Sequence, residues 1–475
     1  MPRKRDGHVD GRTESERSAL ERMRQLAAAT PAHRDRYVDL LRAVAILMVI
    51  LGHWLTSAVT VTDGRLGGVN LLYVVPWAQP ATWLFQVMPV FFLVGGYANA
   101  ASLAKHRDAG GTAAAWVQSR ALRLLRPTAV FVVVLIVGYA SALALGADQR
   151  VTRTAVWLAG IALWFLVVYV AVVALAPATI AWQRRWGVGV FLTLIAVVAA
   201  GDVARVATGS DVPATGNYIV GWLAVHQLGV AWRDGALTRT RRPAYALAVG
   251  GAAVAVALIA VGPYGVTMVG AAPPPELGNA DPPTLALLAL AAMQAGIALL
   301  LRPVVGPWLQ RPRVWQVVVV LNAVILTIFL WHMVPVVIAG VALMTTGIFP
   351  QPELASGEWF ALRIPWLAVL AVLLAGLVAV FARFETAAVR RRGGDASPVV
   401  VGVGIVTCVA ALAGIGVTGT EGVLPAVGGL PVGELAIFGV GLAVVWRAGG
   451  TTAAAIDGEG GPRDGTPRRD STPGQ

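Results

Sequence analysis

The residues best suited to chemistry lie inside a long apolar segment near the start of the chain. Asp39, Arg42 and His53 interrupt a run of aliphatic side chains between Val38 and Leu55. Charged or ionisable side chains within a membrane-spanning helix are costly, so each needs a partner or a function. A histidine can act as a general base on a hydroxyl group, and a guanidinium can bind phosphate.

The spacing places these three side chains on one side of a predicted helix. Asp39 and Arg42 are three residues apart and can pair. Arg42 and His53 are eleven residues apart, or about three turns, which separates them by roughly 16 Å along the axis. We expect Asp39 to orient Arg42 at the inner entrance, and Arg42 and His53 to line one water-accessible passage. The alternative is a snorkelling ion pair beside a structural histidine.

Further polar residues occur in other apolar segments. His226 lies in one of them, while Asn322 and His332 lie ten residues apart in another, on nearby faces and with His332 at a depth comparable to that of His53. Three histidines without a carboxylate or a close His spacing predict no metal site. Cys408 is the only cysteine, so no Cys-based metal site and no disulfide framework are expected.

A short basic segment follows the second apolar run. Arg120, Arg123 and Arg126 recur every three residues ahead of Pro127, so they share one face of a short helix. The simplest interpretation is the excess of arginine in cytoplasmic loops. Guanidinium forks are also what a phosphate-bearing ligand requires.

These residues must be positioned by a membrane fold. The 475 residues have a mean hydropathy of +0.70 and only 13% are charged, which is too apolar for a soluble domain. We predict an all-α, polytopic transmembrane helix bundle with ten core helices in residues 37–384 and two more helices in residues 385–447. The predicted spans are 38–59, 81–104, 127–146, 155–179, 186–201, 216–232, 244–262, 284–301, 315–343, 364–382, 398–418 and 432–446. Spans 186–201 and 432–446 are short for a bilayer crossing.

The basic residues predict the orientation of the bundle. With a cytoplasmic N-terminus, eighteen arginines and lysines fall in inner loops and five in outer loops. We therefore expect a multi-pass protein of the plasma membrane with both termini in the cytoplasm. The same pattern accounts for the net charge of +12, so no nucleic-acid partner is expected.

The remaining segments are predicted to be loops or tails. Residues 1–36 form a basic cytoplasmic arm, which can contact membrane lipid, and residues 448–475 form a disordered cytoplasmic tail. The proline-rich segment 263–283 is expected to be an outer loop or lid.

Four motifs carry a family resemblance. They are Arg36 to Ala43 with Leu51-Gly52-His53, Met88 to Tyr97, Arg120 to Pro127, and Phe329-Leu330-Trp331-His332. Together they resemble the motifs of acyltransferase family 3, a family of integral membrane O-acyltransferases, over residues 36 to about 384. Gly95-Gly96-Tyr97 stands where the family usually has Ser-Gly-Phe, which leaves the acceptor open.

The resemblance implies transfer of an acyl group, often acetyl, from acyl-coenzyme A to a hydroxyl of a glycan, lipid-linked glycan or natural product. His53 would be the general base, and either His332 or Asn322 would donate to the oxyanion. Arg42 would bind the donor phosphates together with Arg120/Arg123 or with Arg123/Arg126.

A different function class also fits buried ionisable residues. A proton-coupled transporter or flippase of a polar or lipid-linked substrate would use the same residue types as a proton relay. The arginine motif beside a histidine at three-turn spacing favours acyl transfer, because transport does not require it. The expected partners are thus acyl-coenzyme A, a glycan or lipid-linked acceptor and membrane lipid, and the oligomeric state is left open.

Overall fold

The fold is an all-α bundle, as predicted. A computed structural model describes residues 34–62, 65–270, 276–386, 396–418 and 430–448. Ten helices in these ranges are long and apolar enough to cross a membrane. The predicted arm up to residue 33 and the tail from residue 449 lie outside the described residues.

The elements follow in chain order. The helices are α1 Arg36–Thr56, α2 Met88–Asp108, α3 Ala113–Ala144, α4 Gln149–Ala159, α5 Leu163–Trp186, α6 Val188–Thr208, α7 Asn217–Arg233, α8 Arg242–Val261, α9 Leu285–Leu309, α10 Pro312–Ala323, α11 Ile325–Trp331, α12 Val334–Ala339, α13 Gly357–Thr386, α14 Pro398–Thr418 and α15 Val432–Arg447. Strands β1 Ser57–Thr62 and β2 Arg65–Asn70 follow α1. Short helical turns over Leu71–Val74, Pro76–Ala81 and Thr82–Phe85 lead into α2.

Each predicted span coincides with helical structure, with a few differences in length. The span predicted as 186–201 belongs to α6, which has 21 residues, whereas α7 and α15 have only 17 and 16. Many large apolar side chains face outward, among them Leu192, Val203, Ile364 and Val372. Outward aliphatic surfaces of this extent are what a lipid-embedded bundle presents.

The span predicted as 315–343 is not one continuous helix, and this prediction was wrong. Val324 leaves the helical region with φ −126° and ψ 19°, so α10 ends and α11 begins there. The Glu385 carboxylate accepts hydrogen bonds from the N–H groups of Leu326 and Thr327, at 3.1 and 2.7 Å, and from the Thr327 hydroxyl at 2.7 Å. A carboxylate on α13 thus satisfies the donors that the break exposes.

The first predicted span ends earlier than expected, because the chain turns into a β-hairpin. α1 ends at Thr56, and β1 pairs antiparallel with β2 from Ser57 opposite Asn70 to Thr62 opposite Arg65. The alternating sequence Ala-Val-Thr-Val-Thr has a strong strand propensity that the helix prediction overlooked.

Asp35 sets the start of α1. Its carboxylate accepts from the N–H groups of Tyr37 and Val38 and so caps the helix. The same carboxylate accepts from the Tyr97 hydroxyl at 3.1 Å and from Arg302 at 2.7 Å. One side chain therefore joins α1 to α2 and α9.

Close helix packing explains part of the Gly95-Gly96-Tyr97 motif. A side chain at Gly96 would overlap the carbonyl of His226 on α7, and one at Gly229 would overlap the carbonyl of Leu93 on α2. Paired glycines therefore let the α2 and α7 backbones touch, as small residues do in membrane bundles. His226 is fully buried at this crossing and contacts Asn99 at 3.2 Å.

The two ends of the bundle differ in their side chains. Where α1 begins, a cavity is lined by Arg34, Arg36, Arg239, Arg241 and Arg302. We call this the arginine-rich end, and the opposite end, where α1 passes into β1, the hairpin end. The charge distribution predicts that the arginine-rich end is cytoplasmic.

Candidate active site

Two histidines that are 279 residues apart in the chain meet at the centre of the candidate site. Nδ1 of His53 lies 2.7 Å from Nε2 of His332, and the two rings are nearly parallel. The indole N–H of Trp54 donates to the His332 carbonyl at 2.7 Å. These two contacts hold α1 against the end of α11.

The partners of each ring assign the proton positions. Nδ1 of His332 lies 2.5 Å from the carbonyl oxygen of Phe329, which can only accept, so this nitrogen carries the proton. Nε2 of neutral His332 is then an acceptor and receives the Nδ1 proton of His53. Nε2 of His53 is left with a free lone pair, and within the described residues no protein group bonds to it. The pair thus presents one basic nitrogen.

His53 faces a large cavity at the hairpin end. The cavity has a volume of about 1220 Å³ and is lined mainly by aliphatic and aromatic side chains from most of the helices around it. Val269, Gly270, Ala280 and Asp281, from the segment predicted to be an outer loop or lid, form part of its wall. The imidazole therefore faces a cavity large enough for an organic substrate.

The arginine motif forms a separate cluster towards the arginine-rich end. Arg120 donates to the Ser102 hydroxyl at 2.5 Å and packs over the Trp116 ring. Arg42 and Arg123 lie close enough to Arg120 to interact with it electrostatically. The structure therefore groups Arg42 with Arg120 and Arg123.

Asp39 and Asn322 lie at the edge of this cluster. Asp39 is buried and pairs with Arg34 at 2.5 Å and with Arg42 at 3.4 Å. Asn322 donates to the backbone carbonyl of Asp39 at 2.9 Å, on the first part of the broken α10–α11 segment. The structure thus brings His332 to His53 and leaves Asn322 near Asp39, so we assign Asn322 no role at the reacting groups.

A series of aromatic rings leads from Tyr169, which interacts electrostatically with Arg120, to the His pair. Tyr169 stacks on Phe165 with ring centres 5.3 Å apart, and Phe165 contacts Phe329 at 4.9 Å. Phe329 in turn packs on His332 and forms part of the cavity wall.

The passage from Arg42 to His53 that their spacing on α1 predicts stays a prediction. Arg42 is not among the residues that line the cavity.

The comparison with family models matches most of the chain. Residues 35–383 match the acyltransferase family 3 model, which is described as an acyltransferase domain. The chain is a member of acyltransferase family 3. With its ten apolar helices, it is a multi-pass membrane acyltransferase. A comparison with curated proteins and one with solved structures each gave no match.

Sequence reasoning overlooked two charged residues of this acyltransferase. Glu385 bonds to the start of α11, which carries His332 at its other end, and it interacts electrostatically with Arg123. Arg363 lines the cavity between Trp359 and Trp366, which lie on the same helix face at four and three residues from it. This aromatic pattern in α13 was readable, but Arg363 was interpreted only as an outer-loop charge.

Proposed function

We propose that the protein transfers an acyl group, most simply acetyl, from acyl-coenzyme A to a hydroxyl group on an acceptor bound in the apolar cavity, with His53 as the general base. The observation that carries this proposal is the hydrogen-bonded pair of His53 and His332. It leaves one unprotonated nitrogen in the wall of a substrate-sized cavity.

The arginine cluster supports the assignment of the donor. Coenzyme A carries phosphate groups, and Arg42, Arg120 and Arg123 supply guanidinium groups near the arginine-rich end. Ser102 orients Arg120 through its hydroxyl. The long flexible arm of coenzyme A would then carry the thioester to His53, whose partner His332 packs against Phe329.

The chemical step follows from the protonation state of the pair. Nε2 of His53 takes the proton of the acceptor hydroxyl, and the oxygen attacks the thioester carbonyl carbon. The tetrahedral intermediate collapses as the carbon–sulfur bond breaks. The imidazolium of His53 then returns the proton to the departing thiolate, so the products are the ester and free coenzyme A. No covalent enzyme intermediate is required.

The cavity supports an acceptor that enters from the hairpin end. Its wall is mostly apolar, and Thr56, Gln86 and Tyr218 are among its few polar side chains. Such a lining suits a glycan joined to a lipid, or another amphiphile with a free hydroxyl. Donor and acceptor then approach the His pair from opposite ends of the bundle.

Substitution of His53 tests this function. A His53→Ala variant is expected to lose acyl transfer by about 10²- to 10⁴-fold, the usual contribution of a general base. Purified protein in lipid nanodiscs would be supplied with radiolabelled acetyl-coenzyme A and a membrane extract, and labelled acceptor would be measured. His226→Ala is the matched control, because His226 is a buried histidine at the α2–α7 crossing. Transfer by folded His53→Ala at the rate of the control variant would refute the proposal.

A further inference from the structure

Arg363 is a buried guanidinium that makes no hydrogen bond or ion pair with the residues that the structure describes. Its side chain is only 6% exposed, although it lies near the hairpin end of α13. Nε and Nη1 are buried and make no hydrogen bond. No carboxylate in the described ranges lies within ion-pair distance of it. Buried charged groups are normally paired, so this arginine requires an explanation.

Two tryptophan rings pack near the Arg363 guanidinium, while its Nε and Nη1 donors make no hydrogen bond to the described residues. The Cζ atom lies 3.9 Å from the ring centre of Trp359 and 5.8 Å from that of Trp366. Trp359 is itself buried in a small cluster with Ala58 and Leu71. A cation–π contact uses the face of the guanidinium, so the in-plane N–H donors stay available for an oxyanion.

Arg363 also belongs to the wall of the cavity that contains His53. A carboxylate in the same wall, Asp281, interacts electrostatically with Arg205. An arginine that merely snorkels to the membrane surface would expose its guanidinium, which this one does not. Its location and its unused donors therefore point to a ligand in the cavity.

We infer that Arg363 binds an oxyanion, a phosphate or a carboxylate, of an amphiphilic acceptor whose apolar part fills the cavity. This inference rests on the proposed function and defines its acceptor class. The planar guanidinium fork matches both oxyanions, and the aliphatic wall accommodates a hydrocarbon chain. The anionic group is then anchored near the hairpin end while a hydroxyl reaches His53.

Direct binding of a matched pair of probes tests the inference without acyl transfer. Farnesyl phosphate and farnesol share one apolar chain and differ by the phosphate, and farnesoic acid supplies the carboxylate. Binding to the full chain in nanodiscs would be measured with radiolabelled probes. Wild-type protein is expected to bind one or both anionic probes at least about tenfold more tightly than farnesol, the lower limit for hydrogen bonds to a charged group.

Variants of Arg363 test whether this residue causes the tighter binding of the anionic probes. Arg363→Gln is expected to abolish it, and Arg363→Lys to retain part of it. Arg150→Gln removes an exposed arginine from the start of α4, also at the hairpin end, and should change nothing. Equal binding of all three probes by wild-type protein would overturn the inference, as would an anion preference that survives in folded Arg363→Gln. If Arg363→Gln does not fold, the wild-type and Arg363→Lys measurements decide.

Further outcomes distinguish a free anion from an amphiphile that carries the anionic group. They also distinguish failure of the proposed function from failure of the role of Arg363. Inorganic phosphate that displaces farnesyl phosphate at equal concentration would indicate a free-anion site and overturn the amphiphile assignment. Anion binding that persists while His53→Ala keeps full acyl transfer would refute the proposed function alone. Loss of transfer in His53→Ala without any anion preference would refute only the role of Arg363.

Discussion

Replacement of His332 by phenylalanine tests whether this residue positions the base. His332 is fully buried and is not among the residues that line the cavity, so it acts on substrate only through His53. Its Nε2 accepts the Nδ1 proton of His53 at 2.7 Å. Phenylalanine fills the same space without an acceptor. The proton of His53 is then free to move to Nε2, which removes the basic lone pair from the cavity.

The size of the effect follows from this hydrogen bond. When His53 takes a proton from the acceptor, its ring becomes positively charged and the bond to His332 becomes charge-assisted. Such bonds contribute about 1.5–3 kcal/mol. At about 1.36 kcal/mol for each tenfold change in rate, His332→Phe should lower kcat by about 10- to 150-fold. KM should change little, because the bond strengthens only during proton transfer.

The assay would measure labelled acceptor as a function of acetyl-coenzyme A concentration, in nanodiscs, for wild-type protein and two variants. His332→Gln is the informative companion, because its amide oxygen can accept from His53 and should recover part of kcat. A folded His332→Phe protein with wild-type kcat would refute the positioning role of His332. A rise in KM with unchanged kcat would also refute it, since this would indicate a binding role.

Two further predictions concern the donor cluster and the helix crossing. Arg120→Ala should raise the KM for acyl-coenzyme A about tenfold or more, because a charge-assisted contact is lost. Arg126→Ala should change this KM by less than about twofold. Equal effects of the two variants in steady-state kinetics would contradict the grouping of Arg42, Arg120 and Arg123. Gly96→Val should destabilise the protein by about 1–3 kcal/mol or more, because its side chain would meet the α7 backbone, whereas Gly138→Ala, with no neighbouring atom within 4 Å, should be neutral. Thermal unfolding followed by size-exclusion chromatography compares these two, and equal stability would contradict the close crossing.

Most of the fold could be predicted from the sequence, because the evidence for it is local. Long apolar segments bounded by arginine, proline or glycine predicted helices at the positions where the structure has them. The arginines that bound these segments also predicted which end of the bundle is rich in arginine. The predictions failed where the strand propensity of a few residues, or a contact with a distant helix, determined the backbone conformation. One example is β1, where alternating valine and threonine favour a strand. Another is the helix break at Val324, whose exposed N–H groups bond to the Glu385 carboxylate on α13.

The candidate site could be predicted only in part. Residue type and spacing selected His53, Arg42 and the arginine motif as candidates, and the family resemblance agreed with the family match. Spacing on one helix could not show that aromatic rings from α5 and α11 pack beside the His pair. It also grouped Asn322 with His332, although the break in the helix moves Asn322 beside Asp39.

The sequence by itself therefore determined the class of fold, its orientation signal and the chemical types of the site residues. Only the tertiary structure decided which of those residues meet. Distant helices, by their packing, bring His53 to His332 and bury Arg363 with two donor atoms that bond to no group among the described residues. Hydropathy and periodicity report how each segment partitions into lipid, and they carry no information on which buried faces come into contact.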